Sequence, residues 1–135
     1  GTTWDFVFTL DDVSSSLSGS RPAIVADEPL SGGYGIYVSA PGDSVFIYNN
    51  TISNNSYSGI YAYGSTSSKY INNKVVDNNG DGIKLYYYLG GNSGSVINNQ
   101  ILRNEKSGLY LSSVDLHKIE NNTIKNNNTP PVANK

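Results

Sequence analysis

Two carboxylates, Asp77 and Asp81, stand four residues apart and are the side chains best spaced for chemistry in this chain. Together with backbone oxygens they could bind a Ca²⁺ ion weakly, because calcium takes several oxygen ligands. The same pair also fits a solvated corner that binds nothing, and we favour that interpretation. No carboxylate cluster recurs at positions suited to hydrolysis or elimination, so we expect no catalytic residues and no enzyme activity.

The single histidine, His117, has no companion ligand of the kind that a transition metal needs. One imidazole without further nitrogen or sulfur ligands does not form such a site, and the chain contains no cysteine. A Ser-His-Asp arrangement and a phosphate-binding loop are also missing from the sequence. The sequence therefore predicts neither a metal centre nor a cofactor.

Three tyrosines, Tyr37, Tyr61 and Tyr110, occupy equivalent outward positions, and Lys84 interrupts the series. Aromatic side chains on neighbouring strands stabilise a sheet by stacking. An exposed aromatic strip also serves as a platform for sugars or as an interface between subunits. The sequence leaves these three interpretations of the aromatic face open.

Asparagine marks the repeated elements that must position these side chains. Four cycles start with Gly and an aliphatic residue at Gly35, Gly59, Gly82 and Gly108, with steps of 24, 23 and 26 residues. Each cycle also holds a double Asn and, five positions after the pair, one further Asn. Stacked coils lie about 4.8 Å apart, so an Asn repeated at one position can form a hydrogen-bonded ladder. The predicted ladder residues are Asn50, Asn73, Asn99, Asn122, Asn55, Asn78, Asn104 and Asn127.

Short alternating runs within each cycle predict strands rather than helices. After Gly35, for example, Ile36 and Val38 are predicted to face inward and Tyr37 outward. Over residues 35–128 the pattern resembles the right-handed parallel β-helix repeat of pectin-degrading enzymes, phage tailspikes, surface adhesins and NosD-like periplasmic proteins. The resemblance implies an all-β solenoid of about four to five coils.

The resemblance concerns a scaffold rather than a chemistry, because these families share a fold and not an activity. The paired Asp and Gly-His-Gly motifs of the hydrolases with this fold are absent here. A lone histidine also gives the NosD-like resemblance no copper chemistry.

Residues 1–34 and 129–135 lack the repeat and flank the predicted β-helix domain, residues 35–128. The first segment contains an alternating strand pattern with an aromatic face, at Trp4, Phe6, Phe8 and Leu10. This strand could cap its own solenoid, or it could complete or bridge a sheet in a neighbouring subunit. We take it as the assembly strand, and we expect residues 129–135 to form a polar tail with neither helix nor strand.

Composition limits the possible functions. A net charge of −2 with 15% charged residues leaves no basic surface for nucleic acid. No apolar stretch reaches the roughly 18 residues that a membrane span requires. The abundance of Tyr, Ser, Thr, Asn and Gly, and a first residue other than Met, lead us to expect a processed protein that is secreted or at the cell surface.

These features favour an extracellular, non-catalytic subunit that assembles with copies of itself into a filament or a surface layer. The alternative is a carbohydrate-binding or carbohydrate-active module with a glycan as its partner.

Four Asn-x-Ser/Thr sequons occur, at Asn49, Asn54, Asn121 and Asn127. In a chain this rich in asparagine, chance explains most of them. A ladder Asn that points inward cannot carry a glycan, so we rank Asn54, at a corner, first as a glycosylation site, and Asn127, which has no coil after it, second.

Overall fold

The computed structural model describes residues 3–6, 33–39, 44–64, 68–86, 94–114, 116–128 and 132–134. All the regular elements in these ranges are short β-strands. They are β1 (Thr3–Phe6), β2 (Ile36–Ser39), β3 (Ser44–Tyr48), β4 (Thr51–Ser53), β5 (Ile60–Tyr63), β6 (Lys69–Ile71), β7 (Lys74–Val76), β8 (Ile83–Tyr86), β9 (Gly94–Ile97), β10 (Gln100–Leu102), β11 (Leu109–Ser112), β12 (Leu116–Glu120), β13 (Thr123–Lys125) and β14 (Val132–Asn134).

The strands form three parallel sheets, and each turn of the chain contributes one strand to each sheet. Sheet 1 has the order β2-β5-β8-β11-β14, sheet 2 has β1-β3-β6-β9-β12, and sheet 3 has β4-β7-β10-β13. Every strand pair is parallel. A chain that advances by one strand per sheet on every turn is a β-solenoid, which confirms the predicted fold class.

Alternation along each strand places the aliphatic residues inside the coils. In β5, Ile60 and Ala62 are buried while Tyr61 and Tyr63 are partly exposed. The equivalent residues of successive coils stack in register, so the interior consists of continuous aliphatic columns. The core contains Ile36, Val38, Ile47, Ile52, Ile60, Ala62, Tyr70, Val75, Ile83, Leu85, Val96, Ile101, Leu109 and Leu111.

The corners explain the recurring Gly and Asn residues. A Cβ on Gly59 would overlap the Val75 side chain and lie 2.9 Å from the Gly82 carbonyl oxygen, so this close approach of coils requires glycine. The first Asn of each double Asn has left-handed backbone geometry, with φ between 55° and 61°. Asn adopts this geometry more readily than most residues, which suits it to a tight corner.

About three complete coils lie between Ile36 and Leu109, and further strands extend the sheets at both ends. This number is slightly below the predicted four to five, because the outer turns are only partly covered by the described residues.

The expectation for residues 129–135 was wrong in one respect. Val132–Asn134 forms β14, which pairs with β11 and adds a strand to sheet 1. Its sequence holds a single aliphatic residue beyond Ala, so the available edge of β11 rather than local propensity decides its conformation.

Candidate functional site

The second Asn of each pair forms a ladder at the corner between sheets 2 and 3. Oδ1 of Asn73 accepts hydrogen bonds from the backbone N and from Nδ2 of Asn50, both at 3.1 Å. Nδ2 of Asn73 donates in turn to Oδ1 of Asn99 at 3.1 Å and to the Ile47 carbonyl at 2.9 Å. Asn99 bonds to Asn122 in the same way, at 2.9 and 3.0 Å. The four predicted residues therefore form one continuous column.

A second ladder runs along the corner that follows sheet 3. Oδ1 of Asn78 accepts from the backbone N and Nδ2 of Asn55, at 3.1 and 2.8 Å. Asn78 donates to Asn104 at 2.9 Å, and Asn104 donates to Asn127 at 2.9 Å. The side chains of the middle rungs are buried. Since every amide group of these middle rungs is bonded inside the protein, the middle rungs hold coils together and leave no free group for a ligand.

The two Asn residues of a pair have different roles. Asn49, Asn72, Asn98 and Asn121 are exposed and left-handed, whereas their second partners are buried or partly buried in the ladder. The sequence gives no direct sign of this division, because both residues are Asn. The first Asn of each pair is needed for the left-handed backbone of the corner, and the second for the hydrogen bonds of the ladder.

The same division bears on the sequons. Asn54 is exposed, and so are Asn49 and Asn121, since each is the corner residue and not the ladder residue. Asn127, by contrast, accepts from Asn104 through Oδ1 and donates through Nδ2 to the Ile101 carbonyl at 3.0 Å. Accessibility therefore ranks Asn49, Asn54 and Asn121 together above Asn127, which corrects the second place that the sequence assigned to Asn127.

The aromatic face lies on the outside of sheet 1, and further tyrosines pack against it. Tyr37 and Tyr61 stack with ring centroids 5.1 Å apart. Tyr34, which precedes the first strand of the repeat, stacks on Tyr61 at 4.9 Å and contacts Tyr57 at 5.3 Å. Burial, and then the neighbouring tyrosines, raise the pKa of both Tyr34 and Tyr61. These phenols are thus neutral, packed groups at physiological pH.

Lys84 joins the tyrosines instead of interrupting them. Its Nζ lies 5.7 Å from the centroid of the Tyr61 ring and 4.9 Å from that of Tyr110. The ammonium group is attracted to both ring faces by cation–π interactions. The column therefore runs unbroken from Tyr37 to Tyr110. A lysine at one position of an otherwise aromatic column is the sequence signal that could have indicated this contact.

Asp77 and Asp81, the weak calcium candidates, use their carboxylates in separate interactions. Asp77 forms a bidentate ion pair with Arg103, at 2.7 and 2.6 Å, and this hydrogen bonding lowers the pKa of the Asp77 carboxyl group. Asp81 is buried, and its Oδ1 accepts a hydrogen bond from the backbone N of Ser107 at 3.0 Å. Within the described residues, no group of three or more His, Cys, Asp or Glu side chains is placed to hold a metal ion.

The predicted assembly strand is only partly covered by the structure. Trp4 and Phe6 lie on β1, which pairs with β3 of the same chain, in register Trp4 with Val45 and Phe6 with Ile47. The strand therefore extends the edge of sheet 2 in its own chain. Phe8 and Leu10 lie outside the described residues.

His117 lies within β12, where the pairing with β9 is irregular between Leu116 and Lys118. Across the part of the chain that the structure describes, no helix has the length and apolarity needed to cross a membrane.

Comparison with known proteins identifies the scaffold. A family model described as the right handed beta helix region matches residues 17–133, which is most of the chain. No curated protein and no solved structure gives a significant match. The matched range contains the repeated glycines, both Asn ladders and nearly all strands of the three parallel sheets. The chain therefore belongs to the right-handed β-helix family.

Proposed function

We propose that this protein is a non-catalytic structural β-helix, secreted or at the cell surface, that assembles with copies of itself into a filament or a surface layer. The observation that supports the proposal is the open interior of the last coil. Ile119 is in register with Val96, Tyr70 and Ile47 through the strand pairs of sheet 2. Those three are fully buried, whereas Ile119 is 45% exposed. A core position that faces solvent is a surface suited to a partner.

The polar groups of the same end favour a partner too. Each middle rung of a ladder uses its backbone N–H and both hydrogens of its amide group. In the last rung, Asn122 donates only to the Val96 carbonyl, and Asn127 only to the Ile101 carbonyl. Among the described residues, the backbone N–H and one amide hydrogen of each have no acceptor. Backbone and side-chain donors at a sheet edge readily pair with another chain.

The interior supports a structural rather than a catalytic role. The buried Asn side chains of the repeat form ladders, and the buried Asp81 accepts a hydrogen bond from the backbone N of Ser107 in the next coil. Asp77 is neutralised by Arg103. Both carboxylates that the sequence offered for chemistry, Asp77 and Asp81, thus join one coil to the next.

The direct test is sedimentation and electron microscopy of the purified protein over a dilution series. We expect elongated particles whose length or number falls on dilution, and Ile119→Asp should suppress them by placing a charge in the contact. The matched control is Ile97→Asp, a partly exposed aliphatic on the outer side of sheet 2 and not at its end. A wild-type protein that stays monomeric at every concentration would reject the proposal.

A carbohydrate-binding module is the second candidate, and it is favoured by two exposed rings at the aromatic face. Tyr57 is 55% exposed and contacts Tyr34, and Tyr86 is 39% exposed and stacks on Tyr63. The exposed part of such a ring can stack against a sugar. In contrast, Tyr61 has Tyr37, Tyr34 and Lys84 around its ring.

A glycan array distinguishes this candidate from the first. Binding that is lost in both Tyr57→Ala and Tyr86→Ala, and retained in Tyr48→Ala on sheet 2, would support a sugar site. Failure to bind any neutral or acidic polysaccharide would remove it.

A further inference from the structure

The two ends of the solenoid carry their outermost strands on different sheets. At the N-terminal end, sheet 2 extends beyond the first repeat through β1. At the C-terminal end, sheet 1 extends beyond the last repeat through β14. Within the described residues, one sheet thus extends beyond the other two at each end. It is sheet 2 at the N-terminal end and sheet 1 at the C-terminal end. Two copies placed end to end in the same direction would therefore interlock without collision of these strands.

We propose that copies stack head to tail, so that β14 of one copy and β1 of the next become consecutive strands of one composite coil. The inference rests on the proposed self-assembly and specifies its geometry. In that arrangement β1 of the next copy pairs with β12, and β2 of the next copy pairs with β14. Both pairs are parallel, as all strand pairs within the chain are.

The register of sheet 2 determines which residues would meet. Successive pairs place Phe6, Ile47, Tyr70, Val96 and Ile119 at one level along the strands. Continuing this register into the next copy puts Phe6 of that copy beside Ile119. Ile119, the exposed end of this column, would then be covered by the aromatic residue Phe6 of the next copy. Phe6 would continue the series of large hydrophobic residues that the earlier coils place at this level.

The adjacent register position pairs opposite charges. The level formed by Asp5, Phe46, Lys69, Ser95 and Lys118 begins with an acid and ends with a base. Head-to-tail stacking brings Lys118 directly beside Asp5 of the next copy, which favours association. In the single chain Lys118 contacts Glu120 at 3.1 Å, and both side chains are about half exposed. That surface contact can be exchanged for the intersubunit pair.

The opposite arrangement, with two C-terminal ends facing each other, is disfavoured by the ladders. It would place the unpaired donors of Asn122 and Asn127 against the same donors of the partner. Donors do not satisfy donors, so this end is not complementary to itself. A heterologous contact between unlike ends also generates an open filament and not a closed dimer.

Disulfide trapping tests the geometry, because the chain contains no cysteine of its own. We expect Asp5→Cys/Lys118→Cys to form a series of covalent multimers under mild oxidation, since neighbouring parallel strands fall within disulfide reach. The two sites are separated by four strand spacings in one chain, about 19 Å, so they cannot close within a subunit. Asp5→Cys/Lys125→Cys, with the second cysteine on β13, is the matched control and should give far fewer multimers.

The outcomes separate the inference from the proposed function. Covalent dimers from Lys118→Cys alone, with no longer products from the double variant, would overturn head-to-tail stacking while leaving self-assembly intact. A wild-type protein that does not associate at all would remove both. As a second measurement, Asp5→Lys and Lys118→Asp should each weaken association about two- to fivefold, and the combined swap should restore it. Single swaps without effect would contradict the predicted register.

Discussion

The first and last coils share one repeat but differ in what surrounds them. Ile36, Ile47 and Ile52 of the first coil are at most 1% exposed. In the last coil Ile119 is 45% exposed, and Ile124 is only partly buried against the core. The difference shows that the burial of a residue in a solenoid, and so its contribution to stability, depends on the coils on either side of it. The same aliphatic position is core at one end and surface at the other.

The ladders show the same contrast in their hydrogen bonds. Asn50 and Asn55 in the first coil each donate to the rung above them through both backbone and side chain. Asn122 and Asn127 in the last coil accept these bonds from below and have nothing above them among the described residues. Each ladder therefore has a direction, with its unused donors at the C-terminal end.

The largest effect should come from truncating the aliphatic column of sheet 2 at its closed end. Ile47→Ala removes fully buried carbons and should lower the free energy of unfolding by about 2–5 kcal/mol. Ile119→Ala, in the same register, should cost less than about 1.5 kcal/mol in the monomer, because solvent already reaches that side chain. Urea denaturation at a protein concentration below the onset of association measures both.

The variants at Ile47 and Ile119 can directly contradict the difference between the first and last coils. Equal losses at Ile47 and Ile119 would mean that the last coil is covered in solution. A loss at Ile119 that grows with protein concentration would instead locate the covering surface in another copy.

A ladder rung should show the second-largest difference. Asn78→Ala deprives the buried donors of Asn55 of their acceptor and should cost about 2–4 kcal/mol. Asn127→Ala should cost less than about 1.5 kcal/mol, since water can replace its bonds at the open end. Chemical denaturation followed by circular dichroism distinguishes the two values. Asn72→Gly, at an exposed αL position, is the control that should change stability little.

The sequence predicts most of the fold because the repeat restates it in every coil. The strand period, the inward aliphatics and the eight ladder positions follow from spacing alone, and the structure places them accordingly. β14 could not be predicted, since its three residues form a strand only against the edge of β11. The sequence of these three residues alone does not show that β11, elsewhere in the chain, offers them an open sheet edge.

The candidate sites were less predictable, because they depend on contacts between coils. Asp77 and Arg103 occupy the same repeat position in neighbouring coils, and opposite charges there were a sufficient sign of their ion pair. A lysine in an otherwise aromatic column indicates a contact with a ring, but only the structure shows that Lys84 Nζ lies near both Tyr61 and Tyr110. Tyr34 joins the aromatic face from outside the repeat, so no alignment of cycles includes it.

A smaller effect is expected on the outer face, where neither end is involved. Lys84→Gln removes the cation between Tyr61 and Tyr110 and should cost about 1 kcal/mol. Lys125→Gln, an exposed lysine on β13, is the control with no expected loss. Thermal denaturation of the monomer is sensitive enough for the comparison. If Lys84→Gln lowered the stability of the associated protein but not of the monomer, the aromatic face would be part of the subunit interface.

The smallest effect should come from the ion pair on the corner between two middle coils. Asp77 and Arg103 are well exposed, so salt and water weaken their attraction. Arg103→Gln should therefore lower the urea midpoint only slightly at neutral pH and low salt. Because the pair lies away from both ends, its contribution should be the same in the monomer and in the assembly.

The pH dependence gives this last prediction a sign. Hydrogen bonds from Arg103 lower the pKa of Asp77 in the folded state, so the pair stabilises the protein above the ordinary aspartate pKa, near 3.9. That stabilisation disappears as the pH falls through the lower, folded-state pKa. The difference between wild type and Arg103→Gln should thus be visible at pH 6 and decrease as the pH falls below about 3.9, and high salt should reduce it as well. If the difference in stability were as large at low pH and at high salt as at pH 6, the ion pair would not be its cause. Arg103 would then stabilise its left-handed corner by packing, and contacts on the outer surface would hold the coils together more strongly than the comparison of the two ends implies.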